Sequence, residues 1–207
     1  MNIMPKINHK QLQRAITGNS AWDLSNQILY EMCQKYPHHK NDEEIIAKVL
    51  MIGRVYSAAI ERRKQVDNTS RVFYSKEVAP KILKSKIDVW LASLNGFEHP
   101  TSSNCVQIVS VHKRVTHLFQ KISGLEKRSL ASKYLHFHFP ALFFIYDSRS
   151  SKAIRQVEQA PLWNPNLVEY DDVYAKFFLR CMTFTERVKK ECGESLTPRQ
   201  LDKYLLY

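Results

Sequence analysis

Glycine is scarce: 5 residues in 207, beside 8 prolines. That leaves no flexible linker, no low-complexity segment and no Gly-rich loop of the kind that cradles a nucleotide. No apolar run approaches the ~18 residues of a membrane span. The N-terminal stretch 1–20 has no apolar core of the secretory kind. The expectation is a soluble, cytoplasmic protein with no membrane partner. Four cysteines (Cys33, Cys105, Cys181, Cys192) are scattered, with no C-x-x-C pair, so a cysteine-held metal or cluster is not encoded. His38, His39 and Asp42 lack a fourth zinc ligand. His136 and His138, two apart on a helix, diverge. No metal and no cofactor is expected.

Cations dominate what is present. Lys and Arg number 31 against 20 Asp and Glu, a formal charge of +11. Such an excess attracts polyanions, of which nucleic acid is the commonest and an anionic membrane the competitor. Apolar residues make up 44% of the chain, enough for a sizeable core. Their spacing is helical and strand-type alternation is rare, so an all-α chain of roughly ten helices is expected.

The helices can be placed by their ends. Residues 8–17 and 21–34 read as a short pair, with Ser20 as N-cap and Asp23 in a capping-box position. Asn41 opens a strong helix whose first turn holds Asp42, Glu43 and Glu44. Its apolar face continues to Ile60, and Arg62, Arg63 and Lys64 read either as its cationic C-terminus or as phosphate contacts. Residues 67–75 read as a loop. A helix over 76–94 is broken near Pro80, and 105–121 forms another. Asp171 and Asp172 cap a long helix that Gly193 stops. Thr197 and Pro198 start a last one.

The stretch 122–153 carries the chemistry. A tight turn at Ser123 and Gly124 leads to a helix over 129–137. Unpaired backbone N–H groups at such a turn suit a phosphate oxygen, and Lys127 and Arg128 add charge. After Pro140, the apolar run Leu142 to Tyr146 delivers one carboxylate, Asp147, at the start of the next helix. Asp147 caps that helix, yet a capping carboxylate keeps a second oxygen for other work.

This stretch resembles the helix–hairpin–helix DNA glycosylase superfamily, in particular the small bacterial branch similar to 8-oxoguanine DNA glycosylase. Ile122-Ser123-Gly124-Leu125 stands where that superfamily has its hairpin. Ala131 matches the small residue of the second helix, and Asp147, 16 residues on, matches the lone aspartate. The resemblance implies a single glycosylase-like domain over 1–207. One lobe would span about 42–140, with the hairpin at 122–127, and the other would combine 1–40 with 147–207 around a cleft. It implies double-stranded DNA as partner, held by Ser123, Gly124, Lys127, Arg128, Arg149 and Lys152, and no obligate protein partner. A flipped base would lie against Tyr56, Phe73, Tyr74 and Tyr146, with Trp163 a further wall candidate and the 68–74 loop filling the gap in the duplex. Asp147 would stabilise the sugar cation and activate water.

Two departures matter. Glu126 replaces the hairpin's second glycine. Members that also cut the strand carry a lysine two residues before the small alanine, where Ser129 stands here. A water-using, monofunctional glycosylase is therefore expected, unless Lys133 reaches the site from the next helical turn. The alternatives are a non-catalytic DNA-binding protein on the same fold and a phage-defence glycosylase acting on modified viral bases.

Overall fold

The computed structural model describes residues 5–63, 70–159 and 170–206, without the side chains of Ser70 and Arg71. Its elements are α1 (His9–Thr17), α2 (Trp22–Lys35), α3 (Asp42–Val55), α4 (Ser70–Phe73), a π-helical turn (Tyr74–Val78), α5 (Ala79–Leu83), α6 (Ile87–Ala92), α7 (Cys105–Ser123), α8 (Arg128–His138), α9 (Ser148–Val157), α10 (Asp172–Cys192) and α11 (Pro198–Leu206). Among the described residues there is no strand, and no helix is long and apolar enough to cross a membrane. The chain is all-α.

Short polar side chains cap several of these helices. Asn41 accepts the Glu44 N–H, Asp171 accepts those of Val173 and Tyr174, and Thr197 exchanges hydrogen bonds with Gln200. The start of α2 differs from the expectation. Ala21 is the N-cap, and Asp23 reaches back to the Ser20 N–H. Gly193, at φ 73°, ends α10.

Two boundaries fall elsewhere than the sequence predicts. α3 stops at Val55, not beyond Ile60, because the chain makes a Schellman turn there. Ala58 N–H bonds the Gly53 carbonyl, Ser57 N–H bonds that of Arg54, and Ser57 takes the left-handed φ of 52°. A Cβ on Gly53 would lie 3.0 Å from the Ala59 backbone, so the returning chain packs against the glycine. Arg62 and Arg63 thus belong to a turn, not a helix end; Lys64 lies outside the described residues. Pro80 does not break its helix either. The π-helical turn precedes it, and Pro80 sits in the first turn of α5, where its missing N–H costs little. The break comes at 84–86.

α8 lies at the centre. It packs against α2, α3 and α7, and every residue from Leu130 to Phe137 is buried. A helix enclosed on all sides must find partners for its polar side chains. His136 bonds Tyr30 and the Phe143 carbonyl, Tyr134 bonds His39, and Ser132 bonds the Tyr146 backbone. The remaining polar residue, Lys133, defines the site.

Candidate active site

Asp147 is the N-cap of α9 in extended backbone, and its two oxygens are divided between tasks. Oδ1 accepts the N–H groups of Arg149 and Ser150, each at 2.9 Å, while Ser150 Oγ accepts the Asp147 N–H. That capping box fixes the carboxylate. Oδ2 faces Lys133 Nζ at 3.5 Å. Lys133 also donates to Ser129 Oγ at 2.8 Å and to the Tyr146 carbonyl at 3.4 Å, and its Nζ lies 5.7 Å from the centre of the Tyr56 ring. Ser129 and Lys133 share a helix face by their i, i+4 spacing. The amine therefore arrives beside the hydroxyl that occupies the expected lysine position.

Burial sets the electrostatics. Lys133 is 2% exposed and Asp147 30% exposed by side chain. Burial lowers the lysine below its ordinary pKa, and the charges of Asp147 and Asp202 offset only part of this. Burial alone would raise Asp147. The Lys133 charge and the N–H groups of Ser150 and Arg149 outweigh it, so the acid stays below its ordinary value. The result is a carboxylate that remains charged beside an amine that sheds its proton more readily.

A groove of about 570 Å³ runs over this region, lined by Ser57, Arg62, Arg63, Lys127, Ser129 and Tyr146 among others. Ser57 and Arg63, both in left-handed backbone, shape its edge. Arg62 and Arg63 are exposed, and Lys127 Nζ donates to the Arg62 carbonyl at 2.6 Å. Burial lowers the Lys127 pKa. Arg149 and Lys152 are exposed on α9. A second cleft, about 590 Å³ between residues 98–102, α10 and residues 195–198, holds none of the catalytic, DNA-binding or base-pocket residues expected from the sequence.

Several expected contributors are placed otherwise. Ser123 is fully buried and its hydroxyl bonds the Phe119 and Leu125 carbonyls, so it cannot touch a phosphate. Two N–H groups of the turn are occupied as well: Gly124, at φ 76°, bonds the Gln120 carbonyl, and Leu125 bonds Ser123 Oγ. Arg128 is held by Asp171 and Glu126, so its charge is already partnered. Phe73 and Tyr74 are core rather than pocket wall. Both are buried, and the Tyr74 hydroxyl donates to Glu61. Residues 68 and 69 of the expected gap-filling loop and Trp163 lie outside the described residues, and 70–73 is helical. Tyr56 and Tyr146 stand beside Lys133. Among the described residues no group of three His, Cys, Asp or Glu could hold a metal ion.

Sequence reasoning missed three residues. Asn26 on α2 accepts the Tyr56 hydroxyl at 2.7 Å. Arg199 and Asp202 on α11 form a pair at 2.5 Å, and Asp202 is close enough for its charge to act with those of Lys133 and Asp147. No local pattern marks them, since α2 and α11 stand at opposite ends of the chain.

Residues 6–142 match the family model HI_0787_N, described as an N-terminal domain. The chain belongs to the HI_0787_N family. No curated protein and no solved structure matches it. The HI_0787_N match includes Lys133 and the whole of α8 but stops before Asp147. Lys133 and Asp147 thus fall on either side of its boundary.

Proposed function

We propose that this protein is a DNA N-glycosylase of helix–hairpin–helix type, with Asp147 as the group that stabilises the sugar cation. The observation that carries the reading is the divided carboxylate: Oδ1 locked by the α9 N-terminus, Oδ2 left beside Lys133. Cleaving the bond between C1′ and the base develops positive charge at C1′. A preorganised carboxylate stabilises that charge without reorganising. In the water route, Asp147 also orients a water and takes its proton. The basic groove beside Tyr146 supports double-stranded DNA as the partner. Nothing in this chemistry requires a cofactor.

The position of Lys133 favours a second route over the water-using one. Burial lowers its pKa, and the amine in its neutral form can attack C1′ directly. The new bond joins Nζ to C1′. The base departs with the electrons of the broken bond and takes up a proton. The aminal so formed loses a proton from Nζ and opens at its C1′–O4′ bond, with O4′ taking up a proton, and the resulting iminium is what borohydride reduces and traps.

The test is a panel of duplexes, each with one modified base, scored for alkali-labile sites with and without borohydride. Asp147→Asn should cut base release by roughly 10²–10⁴-fold and keep DNA binding. Full activity in that variant sinks the assignment of the acid. Trapping that disappears in Lys133→Gln supports the amine route, and release without trapping supports water. DNA binding with no release from any duplex would make the chain a binding module instead.

A further inference from the structure

α9 and α10 pack against each other and run in the same direction. The Tyr174 hydroxyl donates to the Phe144 carbonyl at 3.1 Å, and Arg187 Nη2 donates to that of Val157 at 2.7 Å. Both pairs are 30 residues apart, so one register holds along the contact. It sets Arg180 of α10 level with Ser150 and Ser151 of α9. Arg155 is folded back to the same level. Its Nε donates to the Ser151 carbonyl at 2.8 Å and its Nη2 to Ser151 Oγ at 2.9 Å. Two guanidiniums therefore stand together where the helices meet.

The acids around them are used elsewhere. α9 itself contains none. Asp147 and Asp171 are taken by Lys133 and Arg128, Asp172 by Lys176, and Glu158 by Arg187. Glu186 lines the second cleft, and Glu191 stands 11 residues beyond Arg180, about 16 Å along the helix. Arg180 makes no hydrogen bond or ion pair among the described residues, and its Nε is buried without a partner. Burial lowers the Arg180 pKa, and the Arg155 charge lowers it further. Like charges held together repel until an anion joins them.

We propose that Arg155 and Arg180 clamp one backbone phosphate of bound DNA, at a site separate from the groove of Arg62, Arg63 and Lys127. This rests on the DNA partner of the glycosylase reading and not on its chemistry. A guanidinium offers parallel N–H groups that match phosphate oxygens, and two of them suit one phosphate. The site continues toward Asp147. Arg149, Lys152 and Arg155 are exposed at i, i+3, i+6 and form one stripe. The stripe spans about 9 Å at 1.5 Å per residue, roughly three nucleotide steps of 3.4 Å along a duplex. α9 exposes no large apolar side chain, which a helix lying in a membrane surface needs.

The experiment measures affinity by fluorescence anisotropy for an unmodified duplex and for a set in which one phosphate at a time is a neutral methylphosphonate. At one linkage the neutral group should weaken binding by wild type on the order of 10-fold, a charge-assisted hydrogen bond's worth. The double variant Arg155→Gln, Arg180→Gln should no longer respond to that linkage. Its salt slope should fall by about 1 and not 2, because both cations serve one phosphate. Arg180→Gln strands no protein group, so a smaller linkage effect in that variant alone decides the test if the double variant misfolds. Wild-type affinity in the double variant, or an unchanged response to every linkage, overturns the proposal while leaving the glycosylase reading standing. Affinity lost only for phosphatidylserine–phosphatidylcholine vesicles, with DNA binding unchanged, overturns it in favour of a membrane surface. A linkage effect in a wild type that releases no base from any duplex sinks the glycosylase reading alone. Wild type that binds no duplex overturns both.

Discussion

Two aspartates in this fold are built to one plan and differ in what faces them. Asp147 caps α9 and Asp171 caps α10, each with Oδ1 on two backbone N–H groups. Each turns Oδ2 to a cation of α8. Asp171 receives Arg128 in a close charge-assisted contact, and the pairing holds the arginine above its ordinary pKa although burial works against it. Asp147 receives Lys133 at 3.5 Å, and burial holds that lysine below its ordinary value. A guanidinium keeps its proton in any such setting and can only pair. A buried ammonium can lose its proton and react. Arg128 and Asp171 are therefore a joint between helices, and Lys133 and Asp147 a joint with chemistry available to it.

The sharpest way to break this comparison is to neutralise both aspartates in turn. Asp147→Asn should cut base release by roughly 10²–10⁴-fold, the usual reach of a positioned acid or base. Asp171→Asn should leave release per folded molecule within about twofold, because its oxygens touch no reacting atom. Single-turnover assays normalised to folded protein decide it. Equal losses in the two variants would make Asp147 one more joint.

Stability should sort the cations the opposite way. Arg128→Met strands an Asp171 carboxylate that is nearly buried, at a cost of about 2–3 kcal/mol, below the full figure for a buried pair because Arg128 is a fifth exposed. Lys133→Met strands an Asp147 that still meets solvent and keeps two capping N–H groups, so about 1 kcal/mol or less is expected. Urea unfolding midpoints at constant m-value measure both. A Lys133 variant that loses more than the Arg128 variant would mean the pair is chiefly structural.

How far this was legible differs between the two sites for a physical reason. Caps are local, so Asn41, Asp147, Asp171 and Gly193 could be read from adjacent residues. Lys133 was half-legible: its i, i+4 relation to Ser129 put it on the right face, while the count from Ala131 pointed away from it. The pairing of Arg128 with Asp171, 43 residues apart, has no local signal. Neither does the meeting of Asp23 with Lys203, at opposite ends of the chain. The end of α3 was missed because serine, not glycine, takes the left-handed position, and the clue was Gly53, four residues earlier. The buried Ser123, whose hydroxyl serves its own turn, shows why a turn motif alone overstates a phosphate site.

The groove gives a smaller effect. Each of Arg62→Ala and Arg63→Ala should lower the slope of log affinity against log salt by about 1, if each contacts one phosphate. Arg128→Ala should leave the slope unchanged, its charge being already partnered by Asp171 and Glu126. Fluorescence anisotropy on an unmodified duplex at several salt concentrations reads all three. A steep change for Arg128→Ala alone would reverse the roles assigned to these side chains.

The smallest effect is a pH dependence in which the two acids nearest Lys133 oppose each other. Asp147 is held below its ordinary pKa, so its contribution is present above the usual carboxyl range and is lost as pH falls through its folded value. Burial pushes Asp202 up to about 6, although Arg199 counters it. Between pH about 4 and 6 the folded chain keeps a proton on Asp202 that the unfolded chain has released, so stability falls as pH rises through that window. Asp202→Asn removes that term. Melting temperatures from pH 4 to 7 should therefore decline less with rising pH in the variant than in wild type. Parallel curves would show that Asp202 is ionised throughout, with Arg199 sufficient to hold its charge.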